Sequence, residues 1–245
     1  DLMTEYKQTI LGMLYHILNP IISTTIKVII FGKIANISTD EIPHFLFYLS
    51  GGIFWTYFAK CLVIGKGVFL TNRDLYSQVY IPKLAVPIAS NISEFIKLGM
   101  QIILFIILFI YFQFKGVELK PSYSLIVLLP LFFIQCSLLG LGFGLLVSSF
   151  TTRYRDLNFL GGYINSFWMY CSPVVYPLSV IPEKWHYILS FNPLVSIIEL
   201  SRYIVFGFSS FQLEYLINGF ITTVFFIIIG ILSYNSVEKT FIDNV

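Results

Sequence analysis

Long apolar runs separated by short polar breaks dominate the chain. Residues 2–15 are the exception. Leu2, Met3, Tyr6, Ile10, Met13 and Leu14 fall on one side at helical spacing, and Thr4, Glu5, Lys7 and Gln8 on the other. That pattern predicts an amphipathic helix lying in the membrane interface. Asn19-Pro20 supplies an N-cap and a first-turn proline, so a new helix is expected to begin there. Six apolar runs follow, at 20–35, 45–70, 91–114, 122–150, 159–176 and 211–234. A transmembrane helix takes about 20 residues, so each run is read as one span. Pro130 is expected to kink the fourth, since a proline is tolerated inside a helical bundle.

Between the fifth and sixth spans the pattern breaks. Pro177, Pro182 and Pro193 cut 177–207 into pieces too short to cross alone. They read as two half-helices that dip in and return, with backbone at that depth shielded by protein or by a water-filled cavity. Asn192-Pro193 would start the second piece and Gly207 end it. The predicted fold is therefore an all-α polytopic membrane protein, one domain over 1–245. It has an N-terminal amphipathic interfacial helix, six transmembrane helices, and two short re-entrant helices between the fifth and sixth spans.

Composition narrows the function classes. Of 245 residues, 57% are hydrophobic and only 11% charged, against about 25% charged in a soluble domain. This excludes a soluble enzyme, and six spans leave no room for a separate catalytic domain. A net charge of +2 is too small for a nucleic-acid footprint, so no nucleic-acid partner is expected. The chain opens on Asp1, so a few preceding residues are expected to be missing, and no cleavable signal peptide is legible. Cys61, Cys136 and Cys171 each sit in an apolar run, and His16, His44 and His186 are scattered, so no disulfide or metal set is expected. G-x-x-x-x-G-K-[ST] does not occur, so the chain has no visible means of holding ATP phosphates. Gly140, Gly142 and Gly144 lie inside an apolar run with no preceding strand, which points to close helix packing.

With both termini inside, the inner segments hold Lys7, Lys66, Arg73, Lys83, Arg153, Arg155 and Lys239, and the outer ones Lys33, Lys115, Lys120, Lys184 and Arg202. This weak excess follows the positive-inside rule. The inner segment 72–81 reads as a short amphipathic helix. Asn72 caps it, Arg73 and Asp74 fill its first turn, and Leu75, Tyr76, Val79 and Tyr80 follow before Pro82 ends it. A helix this short gains stability only by docking, as an amphipathic helix does in a partner's groove.

Charges inside spans are expensive, about 2.5–3.5 kcal/mol at a helix centre. Glu94/Lys97 and Glu199/Arg202 are spaced i,i+3 and can neutralise each other on one helix face. Glu94 has a second reading as a capping-box partner of Asn91, and Lys60 is a further charge in a span. Lys27 sits mid-span among hydroxyls and either faces a water-filled path or snorkels. Tyr163, Phe167 and Tyr170 recur at i, i+4, i+7 in the fifth span, with Trp168 beside them. Such a stripe serves either helix packing or the apolar C–H faces of sugar rings.

Four stretches match a known family in order. They are YKQTILGMLYHILNP (6–20), NRDLYSQVYIPKLAVP (72–87), RYRDLNF (153–159) and SPVVYPLSVIPEKWHYILSFNPL (172–194). On them the chain resembles the permease subunit of ABC-2-type exporters of lipid-linked polysaccharide, the Wzm/TagG group. Tyr15 stands where that family usually has Trp, Gln78 and Lys83 replace a usual Lys and Arg, and Ile81 replaces Phe. The resemblance implies a half-channel that pairs as a homodimer and binds two copies of an ABC ATPase subunit, which holds ATP and Mg. This chain itself would hold no cofactor and would not be an enzyme.

The same resemblance implies roles for named residues. The segment 72–86, with Arg73, Asp74, Leu75, Tyr76 and Tyr80, would couple to the ATPase. Arg153, Arg155 and Asp156 would form a cytoplasmic loop. Pro173, Pro177, Pro182, Asn192 and Pro193 would shape an outer gate. Lys27, Tyr163, Phe167 and Tyr170 are read as channel-lining from the mid-span lysine and the aromatic stripe, not from the resemblance. The substrate would be an undecaprenyl-linked polysaccharide such as O-antigen, crossing the bacterial inner membrane among its lipids, with both termini cytoplasmic. Two other classes remain as alternatives. A secondary transporter would carry inverted repeats, and none is visible. A membrane-embedded glycosyl- or acyltransferase would need a carboxylate or His constellation, for which Asp74 and Asp156 beside arginines are the only candidates.

Overall fold

The computed structural model describes residues 14–68, 84–153, 157–208 and 213–242. Among them the chain is helical and contains no strand. The helices are α1 (Leu14–Lys27), α2 (His44–Lys66), α3 (Ala85–Phe114), α4 (Leu129–Arg153), α5 (Leu157–Tyr170), α6 (His186–Ser190), α7 (Pro193–Phe206) and α8 (Leu213–Ile242). Among the described residues five stretches are long and apolar enough to cross a membrane, Tyr15–Ile34, His44–Lys66, Ala85–Phe114, Tyr123–Thr152 and Leu213–Val237, or six if the bent pair Glu183–Ser190 and Pro193–Phe206 makes one span. The expected interfacial helix lies, but for residues 14 and 15, outside the described residues, as do Arg73, Asp74, Leu75, Tyr76, Tyr80, Arg155 and Asp156.

The central element is α2. It is apolar all round, and a helix of that kind has no face to give to solvent. Leu46, Phe47, Tyr48, Leu49, Phe58 and Cys61 on it are fully enclosed. α4 packs along one side of α2 and α8 along the far side of α4, while α1 and α3 cover other faces of α2.

Three glycines explain how α4 fits between two neighbours. A Cβ on Gly140 would meet Cys61 Cβ at 2.6 Å, and one on Gly144 would meet the Leu62 carbonyl at 2.6 Å, both on α2. A Cβ on Gly142 would meet Ile227 of α8 at 2.8 Å, and Gly230 of α8 packs directly on Gly142. Positions 140 and 144 are one turn apart and share a face, while 142 points away. The G-x-G-x-G run is thus the contact of α4 with both partners, the close approach that small residues allow in membrane helices. Aromatic rings fill the remaining volume: Phe54 stacks on Phe133 at 4.4 Å, and Phe143 meets Phe226 edge-on at 5.3 Å.

Several sequence expectations are corrected. Asn19 does not cap a new helix, because α1 runs from Leu14 straight through Pro20 and continues as a π-helix over Val28–Ile34. Proline is tolerated inside membrane helices because neighbouring groups re-satisfy the backbone it frees. Pro130 does not kink the fourth span. It occupies the first turn of α4, directly after a 3-10 helix over Tyr123–Leu128, where a missing N–H costs little. Asn91 is not a cap either, since it lies inside α3.

Among the described residues the fifth helix runs for 14 residues, about 21 Å at 1.5 Å per residue, and turns follow over 171–176. Ser172-Pro173 ends it, because the residue before a proline disfavours the α region. That described length is shorter than the about 30 Å of a bilayer core. The broken region holds 3-10 turns at Leu178–Val180 and Glu183–Trp185, then α6 and α7. The axes of Glu183–Ser190 and Pro193–Phe206 differ by 108°.

Candidate functional site

Asn192 organises the break. Its Oδ1 accepts from the Leu194 N–H at 3.1 Å, capping α7 directly ahead of Pro193, and from Trp168 Nε1 at 3.0 Å. Its Nδ2 donates to the Cys171 carbonyl and to Ser172 Oγ, both at 3.0 Å. One amide therefore ties the end of α5, the turn after it and the start of α7. At the other end of α7, Gly207 adopts a left-handed φ of 77° and closes the helix.

Further down α7, Arg202 is 1% exposed and Glu199 4%. Arg202 Nη1 lies 3.1 Å from Glu199 Oε1, which is the neutralising pair that the i,i+3 spacing predicts. The guanidinium reaches further than its partner. Nη2 donates to the carbonyls of Phe47 and Val174 at 3.4 Å each, and Cζ sits 3.7 Å over the Phe47 ring. A Cβ on Gly51 would stand 2.8 Å from Nη2, so that position leaves room for the arginine. Arg202 thus braces α7, α2 and the turn after α5 at one point.

Two contacts anchor the ends of the broken region. Ser179 Oγ donates to both carboxylate oxygens of Asp40, at 2.8 and 3.0 Å, in the loop between α1 and α2. The Lys120 N–H donates to the Phe206 carbonyl at 3.1 Å and the Ser122 N–H to that of Ile204 at 2.9 Å, in the segment after α3. Pro173 and Pro177 lie between α5 and the 3-10 turn at Leu178–Val180, and Pro182 precedes the one at Glu183–Trp185.

The aromatic stripe stands apart from this brace. Tyr163, Phe167 and Tyr170 are 75%, 70% and 54% exposed, so they do not pack inside the chain. Trp168 does. About 100° round the helix from Phe167, it meets Phe143, Phe58 and Phe226 at 4.7, 5.1 and 6.1 Å. α5 is held by that ring and by close contact of Gly161 with Lys66, and it presents the stripe outward.

Lys27, the remaining channel candidate, is on α1. It lies against α2, with Nζ 3.5 Å from where a Cβ on Gly52 would sit. Arg153 is the last residue of α4. Glu94 and Lys97 pair at 2.8 Å on α3.

Sequence reasoning found the Asn192 cap and both ion pairs. It missed Trp168 as a ligand of Asn192, the Ser179–Asp40 tie and the reach of Arg202 across to Phe47 and Val174. The only advance signal was the one-residue offset of Trp168 from the stripe, which turns it to another face.

The chain matches the family model described as "ABC-2 type transporter" over residues 2–206. It is 26% identical over 245 residues to the O-antigen export system permease protein RfbA of Klebsiella pneumoniae, covering 99% of this chain and 91% of that protein. It is 24% identical over 201 residues to the protein of the same name from Myxococcus xanthus, covering 80% and 74%. To the polysialic acid transport protein KpsM of Escherichia coli it is 28% identical over 253 residues, covering 100% and 93%. Five helices able to cross a bilayer agree with a transporter's membrane subunit. With glycine-tight helices packed on an apolar α2 and a family model covering most of its length, this multi-pass membrane chain belongs to the ABC-2 type transporter family.

Proposed function

We propose that this chain is the permease of a polysaccharide exporter, moving a lipid-linked glycan, O-antigen first among the candidates, across the bacterial inner membrane. The observation that carries the reading is the near full-length match to proteins named for O-antigen export and polysialic acid transport. Two copies would pair around the path, and two ATPase subunits, holding ATP and Mg, would supply the free energy. The exposed stripe supports pairing. Tyr163, Phe167 and Tyr170 have no cover within one chain, and a second copy would complete a wall around sugar rings, whose apolar faces suit aromatic rings.

The bent α6–α7 pair acts as a re-entrant gate on the outer face. In support, its two ends are tied by Ser179–Asp40 and Phe206–Lys120 to loops that the alternation of spans assigns to one membrane face. The segment 72–86 and the loop with Arg153, Arg155 and Asp156 lie at the inner face, with both termini, and the former couples to the ATPase. Lys27 is a further channel position in this reading.

Export is measured in vesicles holding this chain with its ATPase. Transport should require ATP and both subunits. ATP-independent export by the chain alone would overturn the proposal. Labelling of introduced cysteines from outside should reach positions 40 and 115 but not 74 or 155, and the reverse pattern would overturn the orientation.

A further inference from the structure

The loop between α1 and α2 carries a strained turn. The Ile42 N–H donates to the Thr39 carbonyl at 3.0 Å, and the residues between them, Asp40 and Glu41, have φ of 48° and 66°. Positive φ at both central positions belongs to a type I′ turn, whose second central place is ordinarily taken by glycine. A glutamate there is strained, because a left-handed residue sets its Cβ against the following carbonyl. Both ends of the turn are pinned. Thr39, 5% exposed, donates from Oγ1 to the Ile42 carbonyl at 2.7 Å, and Ile42, 3% exposed, is part of the core around α2.

What the turn presents is the Asp40 carboxylate, to which Ser179 Oγ donates. Ser179 lies in the stretch 178–190, which holds the two 3-10 turns and α6. That stretch packs into a small apolar cluster separate from the main one. Leu178 meets Val195 of α7 and Tyr215 of α8 there, with Ile181 and Leu189 against them. At the far end of the stretch, Asn218 Nδ2 of α8 donates to Ser190 Oγ at 3.1 Å. The opposite face of α7 is fixed. It gives Leu194, Ile197 and Ile198 to the main core, and Arg202 braces it on α2. The Asp40–Ser179 contact thus joins a stretch with a small core of its own to the main core, through a strained turn.

We infer that 178–190 shifts on opening while α7 stays braced, and that Asp40 and Ser179 are the latch of the closed position. The inference rests on the reading of the broken region as an outer gate, and names the part of it that moves. With the latch made, the turn is held left-handed. Once Ser179 leaves, Asp40 and Glu41 are free to relax, so the strain released favours the open position. Latch and strain oppose one another, which keeps both positions within reach of a modest driving force.

The test follows labelling of Val195→Cys by a maleimide applied from outside. Vesicles hold the full chain, also carrying Cys171→Ser, with its ATPase. Val195 is fully enclosed in the cluster with Leu178, so labelling tracks the open population. ATP should speed it. Ser179→Ala should speed it about fivefold without ATP, the factor for one hydrogen bond of ordinary net strength. Ser179→Thr, which keeps the hydroxyl, should restore the slow rate. Glu41→Gly relieves the strain and leaves the latch. It should slow labelling about fivefold and raise the melting temperature by about 2–4 °C, so a result of each sign is required. With Val195 left in place, Asp40→Cys/Ser179→Cys bridged by a short bis-methanethiosulfonate should stop export until the bridge is reduced. Labelling that rises with ATP but ignores Ser179→Ala or Glu41→Gly would overturn the latch, as would full export by the bridged chain. Labelling indifferent to ATP while export proceeds is a different result, and would overturn the gate reading on which the latch rests.

Discussion

Replacing Arg202 by Met tests whether α7 is held by a charge brace or merely by apolar packing. Arg202 is 1% exposed and closes an ion pair, two carbonyl contacts and a cation–π contact at once. Methionine keeps much of the volume but leaves the Glu199 carboxylate enclosed without its counter-charge. Breaking one side of a buried pair costs about 3–5 kcal/mol. For a chain of this size about 1 kcal/mol shifts the melting temperature by about 2–4 °C, so a drop of about 10 °C is expected in detergent.

The double variant Glu199→Leu/Arg202→Met removes both charges and should regain most of the loss, because replacing a buried pair by apolar groups is often neutral. With Glu199→Leu alone as the fourth protein, they form a cycle whose coupling energy isolates the pair. The assay is a thermal melt followed by tryptophan emission, at one lipid and detergent ratio. A single Arg202→Met variant melting within about 2 °C of wild type, less than about 1 kcal/mol, would refute the brace. A double variant no more stable than the single would refute the pairing as its cause.

Other substitutions follow from the same contacts. Gly144→Val must push α4 off the Leu62 carbonyl, now 2.6 Å from the Cβ position, and should cost about 1–3 kcal/mol or more in a thermal melt. Asn192→Ala loses the α7 cap and three further hydrogen bonds, so a loss of about 1–2 kcal/mol is expected, while Asn192→Asp, which keeps the cap, should lose less. Tyr163→Ala and Phe167→Ala, at positions exposed in the single chain, should leave its melting within about 0.5 kcal/mol of wild type and yet reduce export with ATPase association intact. Loss of assembly instead would make the stripe a packing surface.

Much of this protein could be read in one dimension. Hydropathy marks where backbone must be helical, because in a bilayer only internal hydrogen bonds can satisfy it. Proline and glycine mark where helices stop, so the start of α7 at Asn192-Pro193, its end at Gly207 and the crowding at Gly140–Gly142–Gly144 follow from local chemistry. The i,i+3 spacing alone pairs Glu94 with Lys97 and Glu199 with Arg202.

Which way each helix faces was decided only by the tertiary structure. In a membrane, lipid satisfies an apolar side chain as well as protein does, so no hydrophobic stripe separates inside from outside. Phe167 and Trp168 are adjacent and both aromatic, yet one is 70% exposed and the other fills a three-ring pocket. The sequence likewise left the continuation of α1 through Pro20 and the reach of Arg202 to Phe47, 155 residues away, undetermined. The second depends on a contact between residues so distant in the chain that it leaves no local period to read.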